Sequence, residues 1–536
     1  MCVFSIERYI RTLKSTFCAW TFGNRSKTQL PIFKIKKLRP FAPTVQTPVM
    51  KLFDQVREIT LIEQISSILS WDQETYLPSK SADYRAQQLS YLAAHAHKLS
   101  TSKSYLSALA RAEAKDSGKK PTYSANLREI RRKTDRAAKI PTELVARESS
   151  IESAAHHAWI DARKKSEFSI FAPHLQNLVD ISLQKADLWG YSDEPYSALL
   201  ESYERNTSAQ QIAKLFDSLS DRLAPISAAA VEKSKSLKPS LPPGIYSMRA
   251  QQDFNAVVAA EIGFDFHAGR IDSTAHPFCT TLGPQDIRIT TRYDLNDFTS
   301  SLFGIMHEVG HGLYEQGLPN QDFGLPSGSA VSLGIHESQS RLWENQIGRS
   351  AAFWDKFYPI AIQYFPHLKN FPLEKFLHYI HRAELSEIRV EADEATYDLH
   401  IILRFQIERM LLKKEISIAE VPATWNALFE KSFGFRPKDD AHGCLQDIHW
   451  SMGGIGYFPT YTLGNINAAQ LFQSAISDSE INAAIEKADY TPLLAWLRKN
   501  IHHHGATYDP TDLMRLATGH TPDTSHYLEH LSTRYL

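Results

Sequence analysis

The chain has 536 residues, with 59 Lys and Arg against 60 Asp and Glu, for a net charge of −1. That balance argues against nucleic acid or an anionic membrane as a partner of the whole chain, and no apolar run is long enough to span a bilayer. Four cysteines (Cys2, Cys18, Cys279 and Cys444), with no CxxC among them, make no disulfide framework and point to a reducing, cytoplasmic setting.

Residues 1–49 read as a basic N-terminal extension. Arg8, Arg11, Lys14, Arg25, Lys27, Lys34, Lys36, Lys37 and Arg39 stand against a single acid, Glu7. A secretory signal needs an unbroken apolar stretch behind a short basic start, and Glu7, Arg8, Arg11 and Lys14 interrupt any such stretch. The extension is expected to be disordered or not native, with Met50 as the true start; a basic targeting segment is the competing reading. Residues 50–536 are expected to form one domain, with no internal repeat and no clear boundary. Leu52, Phe53, Val56, Ile59, Ile62, Ile65, Ile68 and Leu69 recur at helical spacing. Segments near 125–165, 209–233, 374–413 and 466–500 read the same way, so the fold class is mainly α. The basic tract from Arg128 to Lys139 reads as a solvated helix face, and 234–247 and 317–334 as loops. Strand-like alternation is best in "DIRIT", where Asp286, Arg288 and Thr290 share one face and Ile287 and Ile289 the other.

The stretch "FTSSLFGIMHEVGHGLYEQG" follows Asn296-Asp297 and ends at Gly317, which predicts a capped helix with a glycine stop. His307 and His311, four apart, lie one turn from each other on one face and can reach a single ion, while Glu308 stands beside them as a general base. Three protein ligands and one open position make a catalytic zinc site. Gly317 stands where a metzincin would carry its third histidine. Glu315 lies about 12 Å along the axis from His307 at ~1.5 Å per residue, too far to share the ion. A carboxylate from a second helix remains, and "GIHESQSRLWENQIG" offers Glu337, with Glu344 as the weaker candidate suited to a surface role. The helix can start at Gly334.

Further short motifs follow in order: "SWDQETYLP" at 70–78, "HPF" at 276–278, "DIRIT" at 286–290, "HESQ" at 336–339, "IRVEAD" at 388–393, "GCLQDIHW" at 443–450 and "YFPTYTLGN" at 457–465. With these, residues 50–536 resemble the carboxypeptidase Taq (M32) family of metallocarboxypeptidases. The resemblance implies a large, two-lobed helical body like that of neurolysin and angiotensin-converting enzyme, with a deep groove, a metal at its floor and a very small β element near the site. It implies zinc, for which cobalt can substitute, at one ion per chain on His307, His311 and Glu337, with Glu308 as catalytic base. It also implies homodimers and release of single C-terminal residues from peptides, with broad specificity and proline disfavoured.

Peptide hydrolysis also needs a donor for the oxyanion, and His449, Tyr457 and Tyr461 are candidates. A free C-terminal carboxylate calls for an arginine fork. Arg389 is the first choice, with Asp393 as its i,i+4 partner and Tyr397 on the same helix face; Arg288 is the second and could instead fix the strand. His276 is a further substrate-binding candidate that reads more simply as a satisfied histidine before proline, and Cys279 and Cys444 read as packed small side chains. No GxSxG elbow and no phosphate loop occurs, and "HHH" at 502–504 reads as surface. The competing functions are a metallo-endo-oligopeptidase using the same site and a helical binding scaffold with a dead site.

Overall fold

Over most of the segments where apolar residues recur at helical spacing, a computed structural model of the chain places helices; it describes residues 48–536 apart from Pro239 and Ala275. The 1–49 extension lies outside the described residues except for Pro48 and Val49, which open the first helix. The helices before the sheet are α1 (Pro48–Thr75), α2 (Ala82–Ser100), α3 (Lys103–Glu113), α4 (Pro121–Lys139), α5 (Thr142–Lys165), α6 (Phe168–Trp189), α7 (Pro195–Leu200), α8 (Ala209–Leu237) and α9 (Met248–Glu261). Strands β1 (Gly269–Ser273), β2 (Cys279–Gly283) and β3 (Asp286–Thr291) then pair in the order β1-β3-β2, with β1 parallel and β2 antiparallel to β3. After them come α10 (Phe298–Gly317), α11 (Leu333–Arg341), α12 (Ala351–Tyr364), α13 (Leu373–Ile380), α14 (Tyr397–Leu412) and α15 (Val421–Phe433). The chain closes with α16 (Pro459–Ile476), α17 (Ser479–Glu486), α18 (Thr491–Asn500), α19 (Pro510–Thr518) and α20 (Ser525–Tyr535). No helix among the described residues is long and apolar enough to cross a membrane.

Two large apolar cores make the two lobes, and burial of their side chains is the main favourable term holding the body together. One core is built by α5 to α8, α14, α15 and α20. The other is built by α9 to α13 and α17 to α19, with Ile289 of β3. Helix α16 belongs to both: Leu463, Ile466 and Ala469 face the first, Ala468, Leu471 and Ala475 the second. Helices α1 to α4 share a third, smaller core around Leu52, Tyr105, Leu109 and Leu127.

Several local expectations are corrected. The 374–413 segment is not one helix: α13 stops at Ile380, Arg389–Glu391 form a single 3₁₀ turn, and α14 starts at Tyr397. Asp393 accepts the backbone N–H groups of Glu384, Ala395 and Thr396, and so draws the chain into a turn instead of a helix. The tract from Arg128 to Lys139 is ion-paired, not merely solvated. Glu129 is buried among Arg128, Arg132 and Arg205, and Arg131 meets Glu113 at 2.6 Å. In β3, Ile287 and Ile289 are buried as the alternation predicts, but so is Thr290, whose Oγ1 accepts the Phe278 N–H at 2.9 Å. His502 is fully buried, with Nε2 at 2.9 Å from Gln339 Oε1, so the "HHH" tract is not all surface.

Candidate active site

Asp297 caps α10 by accepting the Thr299 N–H at 2.8 Å. At the other end Gly317 is the last helical residue, and its missing side chain makes room for the His502 ring; it is a close-approach glycine, not a turn glycine. Helix α11 starts one residue before Gly334. Ser332 Oγ accepts the Ile335 N–H at 3.2 Å, and the Glu204 carboxyl, which burial pushes up to about 7, accepts from Gly334 N at 3.0 Å and Ser332 Oγ at 3.1 Å at the helix N-terminus. Helix α11 lies between α10 and α16 with no space to spare. A Cβ on Gly310 of α10 would strike the Gln339 backbone, and one on Gly464 of α16 would strike the Glu337 side chain.

This packing brings His307, His311 and Glu337 together, with one ligand atom from each within 4.8 Å of the others. Glu337 Oε2 stands 3.8 Å from His307 Nε2 and 3.6 Å from His311 Nε2. Ligand atoms at tetrahedral zinc distances stand roughly 3.4 Å apart, so the set fits a His₂Glu metal centre in both spacing and donor type. Each ligand has an outer partner that turns its free atom inward. His307 Nδ1 meets Glu344 Oε2 at 2.9 Å, His311 Nδ1 meets the His336 carbonyl at 3.0 Å, and Glu337 Oε1 accepts from Arg341 Nε at 2.8 Å. Behind His311 the contacts continue: His336 Nδ1 at 2.6 Å, then Glu315 Oε1 at 2.9 Å from His336 Nε2, then Thr281 of β2 donating to Glu315 Oε2 at 2.8 Å. Glu315 is thus a partner of His336, as its distance along the helix requires. Glu344 is not a surface residue: burial would raise its carboxyl, but Arg341, His307 and Arg349 together outweigh this and bring it down to about 2.

Glu308 is 6% exposed and faces the same space. Burial pushes its carboxyl up to about 7, with Glu337 adding to the rise and His307 opposing it. Burial holds the His311 imidazole well below its ordinary value. For His307 burial acts the same way, but the Glu337 and Glu344 carboxylates outweigh it and the net shift is upward. Cys279 of β2 feels Glu308 and Glu315, though burial is the main cause of its raised thiol pKa, and Cys444 is buried; both are packed thiols.

Across from the triad stands a wall built by the other core. Arg389 is buried and its partner is Asp447, not Asp393: Nε donates to Asp447 Oδ1 at 2.9 Å and Nη1 to Tyr397 Oη at 2.7 Å. Arg404, fully buried, meets the second oxygen, Asp447 Oδ2, at 2.6 Å. Burial would raise the Asp447 carboxyl, but the two guanidiniums hold it well below the usual carboxylate range. His449 Nε2 lies 3.1 Å from Tyr461 Oη. Burial, then Arg389, push its imidazole down to about 3, so it works as a neutral group. Burial pushes Tyr457 up to about 12 and Tyr461 well above its ordinary value, which keeps both phenols as proton-bearing donors. Glu337 contributes to the shifts of Tyr397, Tyr457 and Tyr461, so wall and triad share one electrostatic space. Arg341 ties them directly, its guanidinium 4.7 Å over the Tyr397 ring.

Arg288 is committed elsewhere. It pairs with Asp286 at 2.9 and 3.0 Å and covers the Trp71 ring at 4.3 Å, tying β3 to α1. His276 is exposed, in the turn leading into β2, so it is not an internally satisfied histidine. Sequence reasoning missed Arg341, His336, Asp447 and Arg404 as members of the site. Arg341 and Glu344 stand four and seven residues after Glu337, a helical-face signal that was there to be read.

A sequence model of the family described as Carboxypeptidase Taq (M32) metallopeptidase matches residues 51–535. Thermostable carboxypeptidase 1 of Thermus thermophilus is 37% identical over 504 residues, covering 92% of this chain and 99% of that protein. Among solved structures, an M32 carboxypeptidase from Deinococcus radiodurans superposes with a TM-score of 0.87 at 34% identity, covering 91% of this chain and 99% of that one. Trypanosoma cruzi metallocarboxypeptidase 1 gives the same TM-score, 0.87, at 34% identity over 91% and 99%. With the whole body, its small sheet and the span of the match in agreement, the chain belongs to the carboxypeptidase Taq (M32) family of metallocarboxypeptidases.

Proposed function

We propose that the chain releases single residues from peptide C-termini, holding one zinc ion, or cobalt in its place, on His307, His311 and Glu337. An ion there supplies a Lewis acid for the scissile carbonyl and lowers the pKa of water. Arg389 binds the substrate's terminal carboxylate and so registers the last peptide bond over the triad. Glu308 takes a proton from the attacking water at its carboxylate and delivers it to the departing amine. Tyr457, Tyr461 and His449 offer O–H and N–H donors to the oxyanion. Arg288 fixes β3 to α1, and His276 flanks the entrance to β2. Broad specificity, a poor response to terminal proline, a homodimer and a cytoplasmic setting rest on the family likeness, with residues 50–536 as the catalytic domain and 1–49 as an extension outside it.

One observation favours an exopeptidase over an endo-oligopeptidase: the wall holds two buried guanidiniums, Arg389 and Arg404, on the single carboxylate of Asp447. An uncompensated buried cation is unfavourable, and a peptide's terminal carboxylate would neutralise it. The test is to incubate metal-loaded protein with one peptide in free-acid and C-terminally amidated forms and follow both by mass spectrometry. Stepwise loss of single residues from the free acid alone is expected. Equal cleavage of the two forms would move the assignment to the endo-oligopeptidase.

A further inference from the structure

Arg341 lies one turn beyond Glu337 on α11 and bridges two carboxylates. Its Nε donates to Glu337 Oε1 at 2.8 Å and its Nη1 to Glu344 Oε2 at 3.2 Å. The oxygen it engages, Oε1, is the one turned away from the histidines; Oε2 is the one 3.8 and 3.6 Å from the two Nε2 atoms. Glu344 uses the same Oε2 to meet His307 Nδ1 at 2.9 Å, and Arg349 Nη2 stands 3.7 Å from its Oε1. A carboxylate free to rotate offers a cation either or both of its oxygens, whereas one held through Oε1 offers only Oε2. An imidazole whose Nδ1–H is fixed on a carboxylate keeps its Nε2 lone pair free and becomes a stronger donor. His311 differs, since its Nδ1 faces a backbone carbonyl and a second imidazole, both without formal negative charge.

We propose that Arg341 and Glu344 are positioning residues: a brace that limits Glu337 to one oxygen and His307 to one tautomer, and thereby sets how tightly the site holds a divalent cation. This rests on the reading of His307, His311 and Glu337 as the ligands. The brace is local: Arg341 and Glu344 sit at i+4 and i+7 from Glu337, the latter in a wide turn where Gly348 N bonds back to Trp343 O at 2.9 Å. Such i→i+5 turns inside helices recur at functional sites. Arginine suits the bridge because its planar fork reaches both carboxylates at once, which a lysine ammonium on a single stem does not.

The experiment uses the full chain and zinc ion alone, titrated against a chromophoric chelator of known affinity. Glu344→Gln and Arg341→Lys are each expected to weaken the zinc Kd by about 10–100-fold at a temperature where near-UV circular dichroism shows both variants, in excess chelator, as fully folded as the parent. Because the two residues share a hydrogen bond, the double variant should lose less than the product of the single losses. Zinc affinities that stay at the parent value in both variants overturn the brace. So does an affinity loss that appears only where the chelator-treated variant has lost its near-UV signal at the titration temperature, which marks a purely structural role. If the parent chain itself takes up no zinc, the ligand reading beneath the proposal fails first and the brace fails with it.

Discussion

On the α10–α11 side of the site, the carboxylates of Glu308, Glu315, Glu337 and Glu344 stand among the imidazoles of His307, His311 and His336; on the α14 side, two guanidiniums share one aspartate. The floor concentrates negative charge where the proposed function holds a cation. The wall concentrates positive charge where the proposed function seats the anionic end of a peptide. Each is buried, so each is costly to keep in the wrong protonation state or without its complement. The two also differ in origin. The floor comes from two consecutive helices, the wall from segments near 389, 404, 447 and 461.

The strongest way to break this comparison is to disable the floor without emptying it. Glu308→Gln should lower kcat by about 10²–10⁴-fold, the range for losing a general acid–base group, while metal content measured by plasma emission stays at the parent level. Loss of the metal along with activity would make Glu308 structural. Arg389→Ala tests the wall and should reduce kcat/KM on free-acid peptides by about 2–5 kcal/mol of transition-state binding, the range for truncating a buried charged partner. Most of this should appear in KM, and the free-acid over amide preference should disappear. A variant with unchanged preference would leave the carboxylate to another group.

Asp447→Asn sharpens the comparison through pH. The folded-state pKa of Asp447 lies below its ordinary value of 3.8. Its contribution is therefore present above that value and lost as pH falls through the folded pKa. The variant should be less stable at neutral pH by about 3–5 kcal/mol, as when one partner of a buried ion pair is removed. Melting curves for parent and variant should draw together below about pH 4; curves that stay parallel would place the stabilisation elsewhere. The smallest effect is expected for Gly464→Ala, an overpacking change of about 1–3 kcal/mol. Because the added methyl meets Glu337, zinc binding should weaken too, and urea melts together with zinc titrations check both.

The floor was legible because its signals are local. A four-residue spacing fixes a helix face, and the loop at 317–334 lets the next helix fold back, so His307, His311 and Glu337 could be brought together on paper. The wall was legible only in part. Arg389 was identified, but its partner was sought four residues away, on a helix that Asp393 instead interrupts. Asp447 lies 58 positions further on, and no periodicity links residues so far apart. Glu344 was misjudged for another reason: a glutamate in a charged stretch reads as surface until packing shows that α10 covers it. Arg288 fell between these cases, its strand alternation readable but its stacking on Trp71 dependent on the α1 contact. The fold class followed from pattern because long amphipathic helices declare themselves, whereas the division into two cores depends on which face of α16 meets which neighbour.

Helix α16 contributes alternate side chains to both large cores and leans its one bare position, Gly464, on Glu337. The halves of the molecule therefore cannot swing apart like the covers of a book with an empty spine. Any hinge between them would have to run past Glu337 itself, where the packing against Gly464 leaves no slack. An opening between the halves that left both cores intact would have to bend somewhere other than along this helix.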